Sequence, residues 1–93
     1  MKQYAVIYTM LDIQLNAEVR PAHVEYLTTL LREGKIVDGM KFPDYYVNGV
    51  QGILVCKAGS KDEVGEWFAK DPVVMAGART FEVREFQPMS IKC

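Results

Sequence analysis

Chemistry that moves a proton at neutral pH calls for a group that titrates near neutrality, and this chain holds one histidine, His23. It stands in Arg20-Pro21-Ala22-His23-Val24-Glu25-Tyr26-Leu27, a stretch that reads as the opening of the longest helix. Pro21 suits a first helical turn, where its missing N–H leaves no bond unmade. On that reading His23 lies within a turn of a helix N-terminus, where the positive end of the dipole disfavours imidazolium. The ring is then a neutral base unless a carboxylate approaches it. Arg20, on the same helix face as His23, is placed either to stabilise a developing oxyanion or simply to pair with Glu18 or Glu25. Taken alone, a histidine so placed is more often an ordinary surface or helix-end residue.

Other chemistries find less support. No G-x-G-x-x-G follows a strand, no phosphate-binding loop exists, and a single histidine cannot build an H-E-x-x-H zinc site. Neither Cys56 nor Cys93 has a histidine at ligand spacing, so no metal is expected. Their spacing also offers no disulfide framework. Lys+Arg 11 against Asp+Glu 12 give a net charge of −1 without long runs of either sign. Nucleic acid, which demands a basic field, is not an expected partner. No apolar run approaches the roughly 20 residues of a membrane span, and Met1-Lys2-Gln3-Tyr4 enters a strand pattern without signal-peptide architecture. The expectation is a reduced, cytoplasmic protein with a neutral or weakly polar small-molecule ligand and no membrane partner.

The elements that must position the histidine follow in order. The 93 residues suffice for one domain, 1–93, with one modest core. Tyr4 to Met10 is a strand, apolar on both alternating faces. Residues 11–19 read as a loop, although Asn16 to Val19 offer an early start to the helix. Helical character is clear from Pro21 to Glu33, where Val24, Leu27, Leu30 and Leu31 form one apolar stripe and Gly34 supplies a left-handed cap. Lys35 to Lys41 is a second strand. A turn with Asn48-Gly49 as its strongest signal joins it to a third, Val50 to Lys57. Ser60-Lys61-Asp62-Glu63 is a capping box that opens a second helix bearing Val64, Trp67 and Phe68. Asp71-Pro72 breaks that helix, 73–77 form at most a short extra turn, Arg79 to Gln87 is the last strand, and Pro88 to Cys93 a tail. Asp71 before Pro72 is by itself a good N-cap, a structural role.

The order β-α-β-β-α-β is the split unit of an α+β, ferredoxin-like fold: an antiparallel four-stranded sheet with two helices on one face. The first and third strands are apolar on both faces, so the uncovered face of the sheet needs a partner. A second copy packed sheet to sheet, a homodimer, is the economical answer.

Read together, these residues resemble the YCII-related (YciI-like) family. The matching pattern is Arg20-x-x-His23-x-x-Tyr26-Leu27-x-x-Leu30, then Gly34-Lys35-Ile36 leading to Gly39. Ser60-x-Asp62-Glu63, Trp67, Asp71-Pro72-x-Val74-x-Ala76-Gly77 and Glu82-Val83-Arg84-Glu85-Phe86 complete it. The resemblance implies a ferredoxin-like fold that dimerises through its sheets into an α/β barrel. It also implies a histidine and an aspartate set together in a cleft as an acid-base dyad, here His23 and Asp71. The family includes a lyase that eliminates chloride from a chlorinated hydroxyquinol, chemistry that needs no metal or organic cofactor. One departure stands out: Gly39 is followed by Met40-Lys41-Phe42-Pro43, where many members carry Gly-Pro. That segment helps line the family's pocket, so substrate identity does not transfer.

An ionised Asp71 accepting from one imidazole nitrogen would fix the tautomer and raise the basicity of the other. His23 would then take a proton from an acidic hydroxyl or activated carbon, an effect worth typically ~10²–10⁴-fold. The expected catalytic set is His23, Asp71 and Arg20, acting on a small aromatic or enolisable compound by elimination or isomerisation. Tyr45, Tyr46 and Trp67 are candidates to line a pocket for a flat ring, with core packing the plain alternative for Trp67. A rival reading is a non-catalytic binding or assembly module that uses the same cleft. A third is a cofactor-free monooxygenase or haem-binding relative on the same barrel, which rests on fold likeness alone.

Overall fold

Alternation organises the sheet, and β1, Lys2–Met10, shows it most plainly. Tyr4, Val6, Tyr8 and Met10 are buried, whereas Ala5, Ile7 and Thr9 between them are half-buried. The structure is a computed structural model that describes residues 1–91. Cys93, expected in the tail, lies outside the described residues. β3, Val50–Ala58, and β4, Arg79–Phe86, pair antiparallel with β1 on either side. β2, Ile36–Lys41, pairs antiparallel with β3, completing the order β2-β3-β1-β4. The hairpin between β2 and β3 turns at Asn48, whose φ of 68° is one that asparagine tolerates, followed by Gly49.

The first helix starts earlier than its proline suggests. α1 runs Ile13–Arg32, with Asp12 as N-cap accepting from the Leu15 N–H at 3.0 Å, and Pro21 lies inside it. His23 is therefore a buried mid-helix residue, and the expected influence of a helix N-terminus on its ring does not apply. The reason lies in the inward stripe. Leu15, Asn16, Val19, His23, Tyr26, Leu27 and Leu30 share one face at helical spacing, and two of them are polar. Counting only apolar residues loses the first two turns. Proline inside a helix costs about 3 kcal/mol, which the packing of Leu15 and Val19 against the core offsets. The ring itself is on the exposed side.

The expected C-cap of α1 is present. Gly34 adopts φ 76°, its N–H bonds the Leu31 carbonyl and the Lys35 N–H bonds that of Leu30. α2, Lys61–Ala69, begins as its capping signal requires, the Ser60 hydroxyl accepting from the Glu63 N–H at 3.2 Å. A four-residue α3, Pro72–Met75, follows with Asp71 as its N-cap. Its end repeats the α1 device: Gly77 at φ 82°, with Gly77 and Ala78 bonding back to Val74 and Val73.

The helices cover the face that carries Tyr4, Val6 and Tyr8, where Leu30, Val64, Phe68, Val73 and Val83 complete the core. The fold is α+β and ferredoxin-like. On the opposite face Ala5 stands across from Val55 and Ile7 across from Ile53, all half-buried. Among the described residues no helix is long and apolar enough to cross a membrane.

Candidate active site

Asp71 anchors the polar centre of the covered side. Pro72 holds it in extended geometry at the start of α3, with φ −63° and ψ 128°, and its side chain is 0% exposed. A carboxylate so deep in the protein needs donors on both oxygens, and three converge on it. The Tyr8 hydroxyl on β1 donates to Oδ2 at 2.5 Å, and the Val73 N–H donates to Oδ1 at 3.2 Å. His23 Nδ1 on α1 lies 2.8 Å from Oδ1 and 2.9 Å from Oδ2. One carboxylate thus both caps α3 and contacts the histidine ring.

The surroundings fix the histidine tautomer. Asp71 can only accept, so Nδ1 carries the proton. Arg79 Nη1 stands 3.4 Å from Nε2, and a guanidinium can only donate. Nε2 is therefore the nitrogen with the lone pair. The Tyr8 ring meets the imidazole edge-on at 5.8 Å between centroids and limits its rotation. Burial first, then the adjacent Asp71 charge and hydrogen bond, push the Tyr8 phenol far above its ordinary value, so it stays protonated and a donor.

Arg79 is itself buried, at the first position of β4. Its Nε donates to Asn16 Oδ1 on α1 at 2.6 Å, and its guanidinium carbon lies 5.0 Å from the centroid of the Tyr8 ring. Burial pulls its pKa below the ordinary arginine value, while Tyr8 and Asp71 oppose that shift. A cavity of about 310 Å³ opens beside this cluster. Arg20, His23, Val24 and Leu27 of α1 form one wall, and Gly39 of β2 with Gln51, Gly52 and Leu54 of β3 form the facing one. A Cβ at Gly52 would meet the Met40 carbonyl at 2.7 Å, so the close approach of the β2 backbone requires glycine there.

His23, Asp71 and Arg20 are thus assembled at one place, the first two in contact and Arg20 on the cavity wall. Tyr45, Tyr46 and Trp67 do not line that cavity. Trp67 is half-buried against the core, with Lys35 Nζ 5.1 Å from its ring centroid. Tyr8, Asn16, Gln51 and Arg79 are the members that sequence reasoning passed over. A signal for Arg79 existed: β4 alternates with Phe81 and Val83 inward, and Arg79 shares their register. Cys56 is buried in the core and burial pushes its thiol up to about 12, which keeps it an inert apolar group.

The YCII-related domain matches residues 1–87. No curated protein matches the chain. Among solved structures the fold is similar to that of 5-chloro-2-hydroxyhydroquinone dehydrochlorinase from Burkholderia phenoliruptrix AC1100, in complex with 2,5-dihydroxybenzoquinone. The TM-score is 0.74 at 22% identity, over 91% of this chain and 93% of that one.

Proposed function

The chain belongs to the YCII-related family, and from that premise we propose that it is a cofactor-independent proton-transfer enzyme acting on a small aromatic or enolisable compound. His23 Nε2 is the general base, and Asp71 is the carboxylate that orients it. Arg20 stabilises the oxyanion that develops as the proton leaves. In an elimination, Nε2 takes the proton, the electron pair of that bond becomes the new double bond, and the leaving group departs with its own pair. Asp71 stabilises the imidazolium until water recovers the proton. Isomerisation uses the same first step and returns the proton to another carbon.

The observation that supports this reading is the buried relay Tyr8–Asp71–His23, which leaves one imidazole nitrogen basic beside a cavity. Within the same reading the protein is a cytoplasmic homodimer joined through its sheets, since the Ala5, Ile7, Ile53 and Val55 face lacks a cover in one copy.

The test is turnover of a panel of halogenated and hydroxylated aromatics. It begins with 5-chloro-2-hydroxyhydroquinone and 2,5-dihydroxybenzoquinone, the compounds named for the dehydrochlorinase of similar fold. Chloride release and exchange of carbon-bound hydrogen with deuterated water are the readouts. His23→Ala is expected to lower the rate about 10²–10⁴-fold. A substrate converted equally well by His23→Ala would remove this mechanism. Compounds that bind but are never converted would favour the binding-module reading.

A further inference from the structure

The charges around the cavity are more one-sided than the chain as a whole. Three cations line it, Arg20, Lys41 and Arg79, and no carboxylate does, although the chain carries a net charge of −1. Two of them are at the mouth: Arg20 and Lys41 are exposed. Arg79 is deep, at 5% exposure, and among the described residues it makes no ion pair. Its one short bond runs from Nε to a neutral amide, that of Asn16. The nearest anion, Asp71, is already engaged by His23, Tyr8 and the Val73 N–H.

A buried guanidinium is normally matched by a carboxylate or phosphate held by both of its terminal nitrogens. Here Nε is pinned by Asn16 and the plane is supported by the Tyr8 ring, so the fork is oriented in advance. Its only terminal contact is the long one to Nε2 at 3.4 Å. No buried side-chain nitrogen or oxygen among the described residues lacks a partner. Arg79 Nη2, which has no hydrogen-bond partner among the described residues, is therefore not sealed in protein, and Arg79 lines the cavity.

We propose that this cavity selects substrates that arrive as oxyanions, with Arg79 the residue that binds the charged oxygen. The substrate class is a phenolate, enolate or carboxylate on a small, largely apolar frame. The frame lies toward Val24, Leu27 and Leu54, side chains shared with a second, mostly apolar cavity of about 330 Å³ between α1 and β2. The inference deepens the reading above and rests on it only in taking this cavity as the substrate site. It also resolves a conflict within that reading. Protonating Nε2 places an imidazolium next to Arg79, which is unfavourable with the guanidinium bare and much less so with an oxyanion on it.

Benzoate and benzamide, nearly isosteric and differing in charge, are the probes, with affinities measured by calorimetry and the Arg79 Nε–Hε signal followed by NMR. Benzoate is expected to bind at least roughly tenfold more tightly than benzamide, as a charge-assisted pair in place of a neutral one implies, and to shift the Arg79 signal. Arg79→Met should bring the two ligands to equal affinity, and Arg79→Lys should keep part of the preference. His23→Ala should keep the whole preference while lowering turnover about 10²–10⁴-fold, so that failure of the base and failure of the anion site are told apart. Absence of saturable benzoate binding, equal binding of the two probes by the unmodified protein, or an unmoved Arg79 signal overturns the proposal. These three readouts need no variant to fold.

Discussion

Two helices lie on the same face of one sheet and treat it in opposite ways. α2 closes on it: Val64 and Phe68 are fully buried, and Phe68 meets Phe81 of β4 at 6.1 Å and Tyr8 at 6.0 Å between centroids. α1 seals its sheet only in part. Leu30 enters the core, but Val24 and Leu27 stand over Gly39 and Gly52 with a cavity between them. That space cannot be filled from those two strand positions, where a Cβ at Gly39 would meet the Leu54 side chain at 2.8 Å and one at Gly52 the Met40 carbonyl at 2.7 Å. The chain carries glycines there and polar groups on the helix above. Apolar closure on one side supplies the rigidity that holds a polar, unfilled site on the other.

The largest effect expected from this contrast is on the closed side. Phe68→Ala removes a fully buried ring from between Tyr8 and Phe81. A loss of about 3–5 kcal/mol follows, read by urea unfolding as a lower midpoint at unchanged slope. A loss below about 1 kcal/mol would mean that the α2 side is no better packed than the α1 side, and the contrast would fail.

Much of this arrangement is legible in the sequence, and what is not has one physical cause. Elements marked by backbone chemistry read correctly: Gly34 can hold the left-handed cap, Ser60-x-x-Glu63 opens α2, and Asn48-Gly49 turns the hairpin. Asn16 and Arg79 escaped because they break the binary pattern on which such reading depends. Asn16 and His23 interrupt the inward stripe of α1, and Arg79 occupies an inward position of β4. Each is polar where the pattern calls for apolar, and each is satisfied by another of the same set, far away in sequence. Asn16 meets Arg79, and His23 and Tyr8 meet Asp71. Only the fold brings such partners together. His23 stood out as the only histidine, family resemblance paired it with Asp71, and Arg79, which carried neither signal, was not singled out.

A smaller effect should appear in alkali, where weak acids on both sides are held neutral. Cys56, in the closed core, is pushed up by burial from the ordinary thiol value of 9.0 to about 12. Tyr8, on the site side, is raised further above its ordinary 10.0, by burial and by Asp71. In the unfolded chain both lose protons at their ordinary values while the folded protein keeps them. The unfolded state then binds fewer protons, so stability falls as pH rises. The contribution is complete below pH 9 and declines from there through about 12. Unfolding midpoints measured across that window should fall for the unmodified protein. Cys56→Ala should remove the part that begins near the thiol value, and Tyr8→Phe the part that begins near the phenol value. A flat profile would mean that neither group is desolvated.

The smallest effect is expected where the open side is most open, at Val24. The side chain is 41% exposed and lines both cavities without entering the core. Val24→Ala should therefore change stability by no more than about 0.5 kcal/mol, the range of surface substitutions, in contrast to a truncation under α2. Ligand affinity should respond instead. An alkyl arm that reaches from the cavity toward the apolar groove would lose contact with the valine methyls, at about 0.8 kcal/mol for each buried methylene-sized group removed. The affinity of 4-butylbenzoate should accordingly drop several-fold in Val24→Ala, and that of benzoate, held by its charge at Arg79, should drop less. Equal losses for both ligands would place the benzoate ring itself against Val24. A stability loss approaching that of Phe68→Ala would show that α1 is sealed to the sheet after all, and the two sides of the molecule would no longer differ in kind.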